Sequence, residues 1–164
     1  MKDLKKGNQL RRSKKTMRKM IIGIVSITIM LFLFQKVISP YQNKYGLHPL
    51  LNKKITLMIK EANQKGVDLR IIEGHRSIVE QAYLYSKGRI IPGNIVTYAL
   101  PGISFHNYGL AVDVCEFKNG KPIWNSENWD LIGSIGKKQD LIWGGNWKRI
   151  VDKPHFQLRI KDLY

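Results

Sequence analysis

Two histidines and two aspartates in the second half of the chain have the types and the spacing of a catalytic metal site. His106 and Asp113 lie on either side of Gly109. Farther along, Asp152 lies three residues before His155. Catalytic zinc typically takes three nitrogen or oxygen ligands, leaves a fourth position for water and works beside a carboxylate that acts as general base. These four side chains can fill each of those roles once, so the sequence predicts a catalytic zinc site.

The spacing restricts how the chain must run between these residues. His106 and Asp113 are seven residues apart, an odd separation that would place them on opposite faces of one straight strand. They can converge only if the chain turns between them, and Gly109 has the conformational freedom for that turn. Pro154 keeps the backbone before it extended. Asp152 lies outside this stiff segment, so we expect it to approach the water without binding the metal.

The composition is that of one folded domain with an excess of basic residues. The chain has 164 residues, of which 43% are hydrophobic and 24% charged, and these values are ordinary for a globular domain. The formal net charge is +16. Residues 1–19 contain nine Lys or Arg against Asp3 alone, so half of the net charge lies in this tail. A chain this basic could bind nucleic acid, which is one alternative function.

An apolar stretch follows the basic tail directly. Residues 20–34 carry no charge, and Val37 and Ile38 extend the stretch. At ~1.5 Å per helical residue, residues 20–38 span roughly 28 Å, close to the ~30 Å of a bilayer core. The basic residues before the stretch predict a cytoplasmic N-terminus. We therefore expect a basic cytoplasmic tail at 1–19, a single-pass anchor in the cell membrane at 20–38, a linker at 39–45 and an extracytoplasmic domain at 46–164.

A cleaved signal peptide is the alternative interpretation of the same stretch, because it also combines basic and apolar regions. The residues around Ser39 and Pro40 contain no Ala-x-Ala-like cleavage site, which favours an anchor that is retained. Either interpretation exports the domain.

Residue periodicity predicts helices at about 46–65, 77–86 and 127–139. Ser77 and Glu80 form a capping box at the start of the second helix. Strands are predicted at 67–73 and 110–117, followed by an Asn119-Gly120 turn and by short strands around 141–143 and 155–158. Cys115 is the one cysteine and is expected to pack inside a strand. These elements predict a single α+β domain whose site lies on a small antiparallel sheet.

The motifs taken together resemble the M15 family of zinc peptidases, which act on bacterial peptidoglycan. The resemblance covers about residues 47–158. It also implies the small α+β fold that the family shares with Hedgehog signalling domains. The forms at 143–147 and 152–156 resemble the L-alanyl-D-glutamate endopeptidase branch, whereas the D-alanyl-D-alanine carboxypeptidase branch usually has Glu and Trp before its last histidine. The matching segments are Gly74-His75-Arg76-Ser77 with Gln81, Ser104-x-His106-x-x-Gly109-x-Ala111-x-Asp113, Trp143-Gly144-Gly145-x-Trp147 and Asp152-x-Pro154-His155-Phe156.

The resemblance implies a role for each residue of the candidate site. His106, Asp113 and His155 would be the zinc ligands and Asp152 the general base. Arg76 would be the cation that faces the developing oxyanion.

Three further side chains near these motifs have two interpretations each. Ser104 is taken as a substrate-binding residue, and a plain turn role is its alternative. Trp143 and Trp147 could line the cleft, although we expect at least one of them to pack in the core.

The sequence therefore predicts a zinc-dependent peptidase that cleaves the L-Ala–D-Glu bond of peptidoglycan stem peptides. A D-alanyl-D-alanine carboxypeptidase of the same family and a non-catalytic, zinc-containing wall-binding module are the alternatives. Anionic wall polymers are expected partners of the basic domain, and an exported domain is not expected to meet nucleic acid.

Overall fold

The computed structural model describes residues 14–23, 25–26 and 43–164. The chain divides into two compact units, Met1–Val37 and Ile38–Tyr164. Within the first unit, residues 14–23 and 25–26 are helical. Among the residues described, there is no helix with the length and apolar character needed to cross a membrane. The predicted tail at 1–19, anchor at 20–38 and linker at 39–45 lie largely outside the described residues.

A five-stranded antiparallel sheet forms the centre of the second unit. The order along the sheet is β1-β2-β5-β4, and β3 pairs with β2 as the second arm of a hairpin. At the hairpin turn, Asn119 and Gly120 both have positive φ, as the predicted turn requires. The strands are Leu69–Glu73 (β1), Ala111–Lys118 (β2), Lys121–Ile123 (β3), Ile142–Trp143 (β4) and His155–Gln157 (β5).

Three helices surround the sheet: Pro49–Gln64 (α1), Ile78–Ser86 (α2) and Trp129–Lys138 (α3). The buried face of α1 recurs at helical spacing, with Leu51, Ile55, Met58 and Ala62 pointing into the core. The start of α2 is capped by Ser77, whose Oγ accepts a hydrogen bond from the backbone N–H of Glu80 at 3.1 Å.

Close packing of α3 on the sheet depends on glycine. A Cβ at Gly133 would collide with the ring of Trp143, and a Cβ at Gly136 would collide with the ring of Phe156. The two rings stack at a centroid distance of 6.3 Å and belong to the hydrophobic core. Helix α3 therefore approaches the β4–β5 edge more closely than a helix of larger residues could.

The α+β class, the small antiparallel sheet and the order of elements are as predicted. Each predicted helix and strand in residues 46–164 is present, with boundaries that differ by up to three residues. Cys115 is a buried free cysteine in β2, also as predicted.

Candidate metal centre

Three adjoining elements bring the candidate ligands together. His106 lies in a 3-10 turn, Phe105–Tyr108, which ends at Gly109 in the left-handed conformation with φ 63°. The chain then enters β2, where Asp113 pairs directly with His155 of β5. The turn expected at Gly109 is confirmed. It needs glycine for a second reason, since a Cβ there would collide with the carbonyl oxygen of Gly46.

The ligand atoms of these three residues all lie within 4.8 Å of one another, as a shared ion requires. His106 Nε2 lies 3.2 Å from His155 Nδ1 and 3.4 Å from Asp113 Oδ1. His155 Nδ1 lies 3.2 Å from the same carboxylate oxygen. Both imidazoles are buried, and they meet edge to face at a centroid distance of 5.1 Å.

In each imidazole, one nitrogen faces away from the other two candidate ligands, and its hydrogen-bond partner shows which ring nitrogen carries the hydrogen. His106 Nδ1 lies 2.7 Å from the carbonyl oxygen of Gly74, which can only accept, so Nδ1 carries the hydrogen. His155 Nε2 lies 3.0 Å from Oε1 of Gln157 and carries its hydrogen by the same argument. The inner nitrogens therefore present lone pairs to each other and to Asp113.

Three acceptors that face one another without a hydrogen between them repel unless a cation lies among them. Two imidazole nitrogens and one carboxylate oxygen are a donor set that zinc favours. Outward N–H groups bound to a carbonyl or amide oxygen are also the usual support of a metal-binding histidine. The residues present thus fit a divalent transition metal.

A proton is the alternative occupant of this position, and the local pKa shifts show how strongly the cluster attracts positive charge. Burial alone would raise the pKa of Asp113, but hydrogen bonds from His106 and His155, made when an inner nitrogen carries a proton, outweigh it and hold that pKa well below its usual range. Burial alone would lower the pKa of His155, yet the hydrogen bond and charge of Asp113 raise it. Acidic solution therefore favours a proton over a metal here.

Asp152 lies beside the three acceptors, and backbone hydrogen bonds hold it there. Its N–H donates to the carbonyl of Gly144 at 3.1 Å, and its own carbonyl accepts from the N–H of His155 at 3.3 Å. These backbone bonds leave the carboxyl itself available to approach a water, and that role stays a prediction. Burial raises the pKa of its carboxyl, and the negative charge of Asp113 raises it further. Asp152 is not one of the three residues that converge on the candidate ion.

Arg76 follows β1 and is buried, with its guanidinium tied on two sides. Its Nε donates to the carboxylate of Glu73, and its Nη1 donates to Oε1 of Gln81 at 2.7 Å. Burial alone would lower the pKa of Arg76, but the carboxylate of Glu73 raises it, so the side chain is charged. The negative charge of Asp113 also raises the pKa of Arg76.

The backbone of Arg76 is held as firmly as its side chain. Its N–H donates to the carbonyl of His106 at 3.0 Å, and its carbonyl accepts from Nδ2 of Asn107 at 2.8 Å. The 3-10 turn that carries a candidate ligand therefore also fixes the candidate cation.

The remaining predicted residues, Ser104, Trp143 and Trp147, differ in their burial and in their contacts with the candidate metal centre. Ser104 is buried directly before the 3-10 turn, and its side chain does not cap that turn. Trp143 is buried in the core and donates from Nε1 to the carbonyl of Lys153 at 2.7 Å. Trp147 is 36% exposed, and its ring lies 5.0 Å from that of His155. Trp147 thus contacts a candidate ligand and is partly exposed, whereas Trp143 packs in the core.

Four further residues organise this centre, and the sequence indicates the contacts of some of them but not of others. Gln157 could have been found from strand alternation, since it shares a face with His155 two residues before it. The pair Gly144-Gly145 indicates a close backbone approach or a bulge, and the approach is present, since a Cβ at Gly144 would meet the backbone of Asp152. The sequence did not indicate the hydrogen bonds that Glu73 and Gln81 accept from Arg76, because both bonds depend on how β1 and α2 pack.

Comparison with known proteins agrees with this geometry. A family profile of the M15 peptidases, described as D-alanyl-D-alanine carboxypeptidase, matches residues 99–158. The peptidoglycan L-alanyl-D-glutamate endopeptidase CwlK of Bacillus subtilis (strain 168) is 42% identical to this chain over 122 residues, which is 68% of this chain and 73% of CwlK.

Two solved structures share the fold. The L-Ala D-Glu endopeptidase ChiX of Serratia marcescens has a TM-score of 0.56 at 28% identity and covers 71% of this chain and 84% of its own. A mutant of the vancomycin resistance D,D-pentapeptidase VanY in complex with Zn(II) has a TM-score of 0.53 at 18% identity, over 72% of this chain and 76% of VanY.

Proposed function

This chain belongs to the M15 family of peptidases, and from that membership we propose that it is a zinc-dependent hydrolase that cleaves the L-Ala–D-Glu bond of peptidoglycan stem peptides. The observation that carries the proposal is the convergence of His106 Nε2, Asp113 Oδ1 and His155 Nδ1 on one position that needs a cation. Asp152 has the chemistry of a general base and Arg76 that of an oxyanion-stabilising cation, and backbone hydrogen bonds join them to the candidate ligands His155 and His106.

Three residues would hold the metal, and two others would act on the substrate. Zinc bound by His106, Asp113 and His155 would supply Lewis-acid chemistry, which activates water and polarises the scissile carbonyl. Asp152 accepts the proton of the attacking water and transfers it to the nitrogen of the departing amine. The raised pKa of Asp152 suits this task, because a pKa closer to the working pH lets one group both accept a proton and release it.

Arg76 stabilises the negative charge that develops on the carbonyl oxygen. Glu73 and Gln81 hold Nε and Nη1 of the guanidinium, so Nη2 is the nitrogen left to face the substrate. A guanidinium held in advance stabilises the transition state without having to reorganise during the reaction.

The choice of bond rests on the relatives. CwlK at 42% identity and ChiX at 28% identity are both named for cleavage between L-Ala and D-Glu. The segment Asp152-x-Pro154-His155-Phe156 also has the form that resembles that branch. D-Alanyl-D-alanine carboxypeptidase activity is the second candidate, and the description of the matching family profile favours it.

A non-catalytic zinc module is a poorer account of the same site. Holding a metal needs only the three ligands, whereas a buried, charged Arg76 and a tethered Asp152 are needed only for turnover. A peptidoglycan substrate would also require this domain to lie outside the cytoplasmic membrane. That is the side predicted by the basic residues that precede residues 20–34.

Digestion of purified muropeptides tests the proposed bond. We expect the zinc-loaded chain to release stem peptides that begin with D-Glu and to leave L-Ala on the glycan, as read by mass spectrometry. The chelated chain is the control and should leave the muropeptides whole. Release of free D-Ala with intact L-Ala–D-Glu bonds would replace the proposed activity with the carboxypeptidase activity.

A further inference from the structure

Helix α2 has the reverse of the burial pattern expected for a surface helix. Its one buried residue is the polar Gln81, which is 0% exposed. Val79 and Tyr83, four residues apart on another face, are each more than half exposed. A helix that packs on a globular core normally buries its apolar residues and exposes its polar ones. The outer face of α2 is therefore apolar where solvent would favour polar side chains.

The segment that follows α2 also exposes its apolar residues and turns a polar residue inward. From 96 to 100 exposed residues alternate with half-buried ones, and the polar Thr97 is turned inward between Val96 and Tyr98. Gln81 Nε2 donates to Oγ1 of Thr97 at 3.2 Å and to the carbonyl of Ala99 at 2.8 Å. These bonds join the segment to α2 from the inside and leave its apolar side chains outside.

The two elements together form one apolar surface, which we call the apolar patch. We define it by six residues of the described chain that each expose more than half of their surface. An exposed apolar surface of this kind typically marks a binding site for a protein or a membrane. The six residues are Val79, Tyr83, Ile90, Val96, Tyr98 and Ile103.

Two of the three charged side chains in this segment are positive, which gives it a net charge of +1. Between residues 78 and 103, Glu80 is the single acidic residue, and Lys87 and Arg89 are the basic ones. The ammonium of Lys87 lies 4.8 Å from the ring centre of Tyr83. The guanidinium of Arg89 lies 3.9 Å from the ring centre of Tyr85 and 5.6 Å from that of Tyr98. Cations thus lie over the tyrosine rings in the segment that directly precedes Ile90, which is 86% exposed.

We propose that the apolar patch docks on the surface of an anionic phospholipid bilayer, with Ile90 inserted among the lipids and Lys87 and Arg89 at the headgroups. Aliphatic side chains flanked by basic residues and tyrosines are the usual composition of a segment that lies in a membrane interface. Anionic headgroups also complement the net positive charge of the segment.

Two other occupants fit the same surface less well. A glycan strand would stack on open aromatic faces, but Lys87 and Arg89 lie over the tyrosine faces. A second copy of this chain, packed symmetrically on the patch, would bring its own Lys87 and Arg89 to the same interface, and these like charges would repel.

An environment-sensitive fluorophore placed at Ile90 tests this docking in the full chain. Ile90 is 86% exposed, so Ile90→Cys should fold normally, and the native Cys115 is buried and should not react. With vesicles of phosphatidylglycerol and phosphatidylcholine, we expect the emission to shift to shorter wavelength and to be quenched by bromine-labelled lipid tails. The matched control is the same label at Leu57→Cys in α1, an aliphatic position that is 45% exposed and lies outside the patch.

Each of the following results would contradict the proposal, and each would have a different explanation. An unchanged emission at position 90 would show that the patch does not enter lipid, and an equal shift at position 57 would show general adsorption of the chain. A shifted emission before vesicles are added would mean that another part of the chain, or a second copy, covers the patch. A shift with purified peptidoglycan but not with vesicles would identify the wall as the partner. A shift of equal size on phosphatidylcholine alone would refute the role of Lys87 and Arg89.

Discussion

His106 and His155 each use one ring nitrogen to donate to a protein oxygen, and this leaves the other nitrogen of each ring facing Asp113. The orienting groups are the carbonyl of Gly74 and the amide of Gln157. They decide the tautomers before any metal arrives, so the site is organised in advance. The same arrangement makes the proton a competitor for the metal, and this competition can be measured.

Zinc affinity should fall as the pH falls. Asp113 raises the pKa of His155, so protons compete with the metal at higher pH than they would at an isolated histidine. For each proton that zinc must displace, the apparent affinity should drop by about tenfold per pH unit once the pH is below that pKa. Competition titrations with a zinc-sensitive dye between about pH 8 and about pH 6 measure this. An affinity that stays constant over this range would contradict the arrangement of acceptors described here.

Gln81 should act as a positioning residue for Arg76. Gln81→Leu removes the acceptor for Nη1 and leaves a buried donor unpaired, which should cost about 1–3 kcal/mol of stability. Since the oxyanion develops only in the transition state, kcat should fall by up to about 100-fold while KM changes little. Steady-state kinetics on muropeptides, together with a zinc determination, measure both effects.

The matched control for that substitution is Gln64→Leu, the same change at an exposed position of α1. It should leave both kinetic constants unchanged. Full zinc content in Gln81→Leu would show that the metal centre survives. A wild-type kcat in that variant would refute the positioning role.

The helices and strands of this domain form where residue patterns within each segment predict them, and tertiary packing does not change them. The periodic apolar face of α1, the Ser77 cap and the Asn119-Gly120 turn each predicted an element that is present. The convergence of two candidate ligands was also predictable, because residues seven apart required the turn that Gly109 makes. Each of these features depends on neighbours in the sequence.

The parts of the site that were not predicted depend on contacts between distant segments. Gln81 meets Arg76 because α2 packs beside the end of β1, and no spacing in the sequence encodes that distance. Gly144 is needed because Asp152, eight residues later, crosses over it. The backbone hydrogen bond from Asp152 to Gly144 likewise forms only in the folded domain, so the sequence did not indicate it.

Gly136 should be essential for the packing of α3. In Gly136→Ala, the new methyl group would overlap the fully buried ring of Phe156, and overpacking of this kind costs about 1–3 kcal/mol. The higher helix propensity of Ala offsets up to about 1 kcal/mol of this cost. Urea unfolding should therefore show a lower midpoint. Ser134→Ala, at an exposed position of the same helix, gains propensity without a clash and should not be destabilised. Equal midpoints for Gly136→Ala and the wild type would contradict the close packing.

On the scale of the whole chain, the net charge of +16 is large for 164 residues, and half of it lies beyond the basic tail. A basic surface raises the local concentration of anionic polymers near a protein. We propose that this charge retains the domain on the anionic polymers of the wall that contains its substrate.

Retention on the wall should weaken as salt is added. Screening shortens the range of charge interactions from about 10 Å at 0.1 M salt to about 3 Å at 1 M salt. Sedimentation of the full chain with purified walls should show less bound protein across that range. Walls stripped of their anionic polymers are the control and should bind little protein at low salt. Binding that is insensitive to both changes would exclude a role for the net charge.

The zinc content of the wild type and two variants tests the central claim most directly. Elemental analysis should find one zinc per chain in the wild type and in Asp152→Asn, although Asp152→Asn should have lost its activity. It should find little or none in His155→Ala, which removes one of the three converging acceptors. A wild type that binds no zinc, or an Asp152→Asn variant that loses it, would contradict the assignment of three ligands and a separate base.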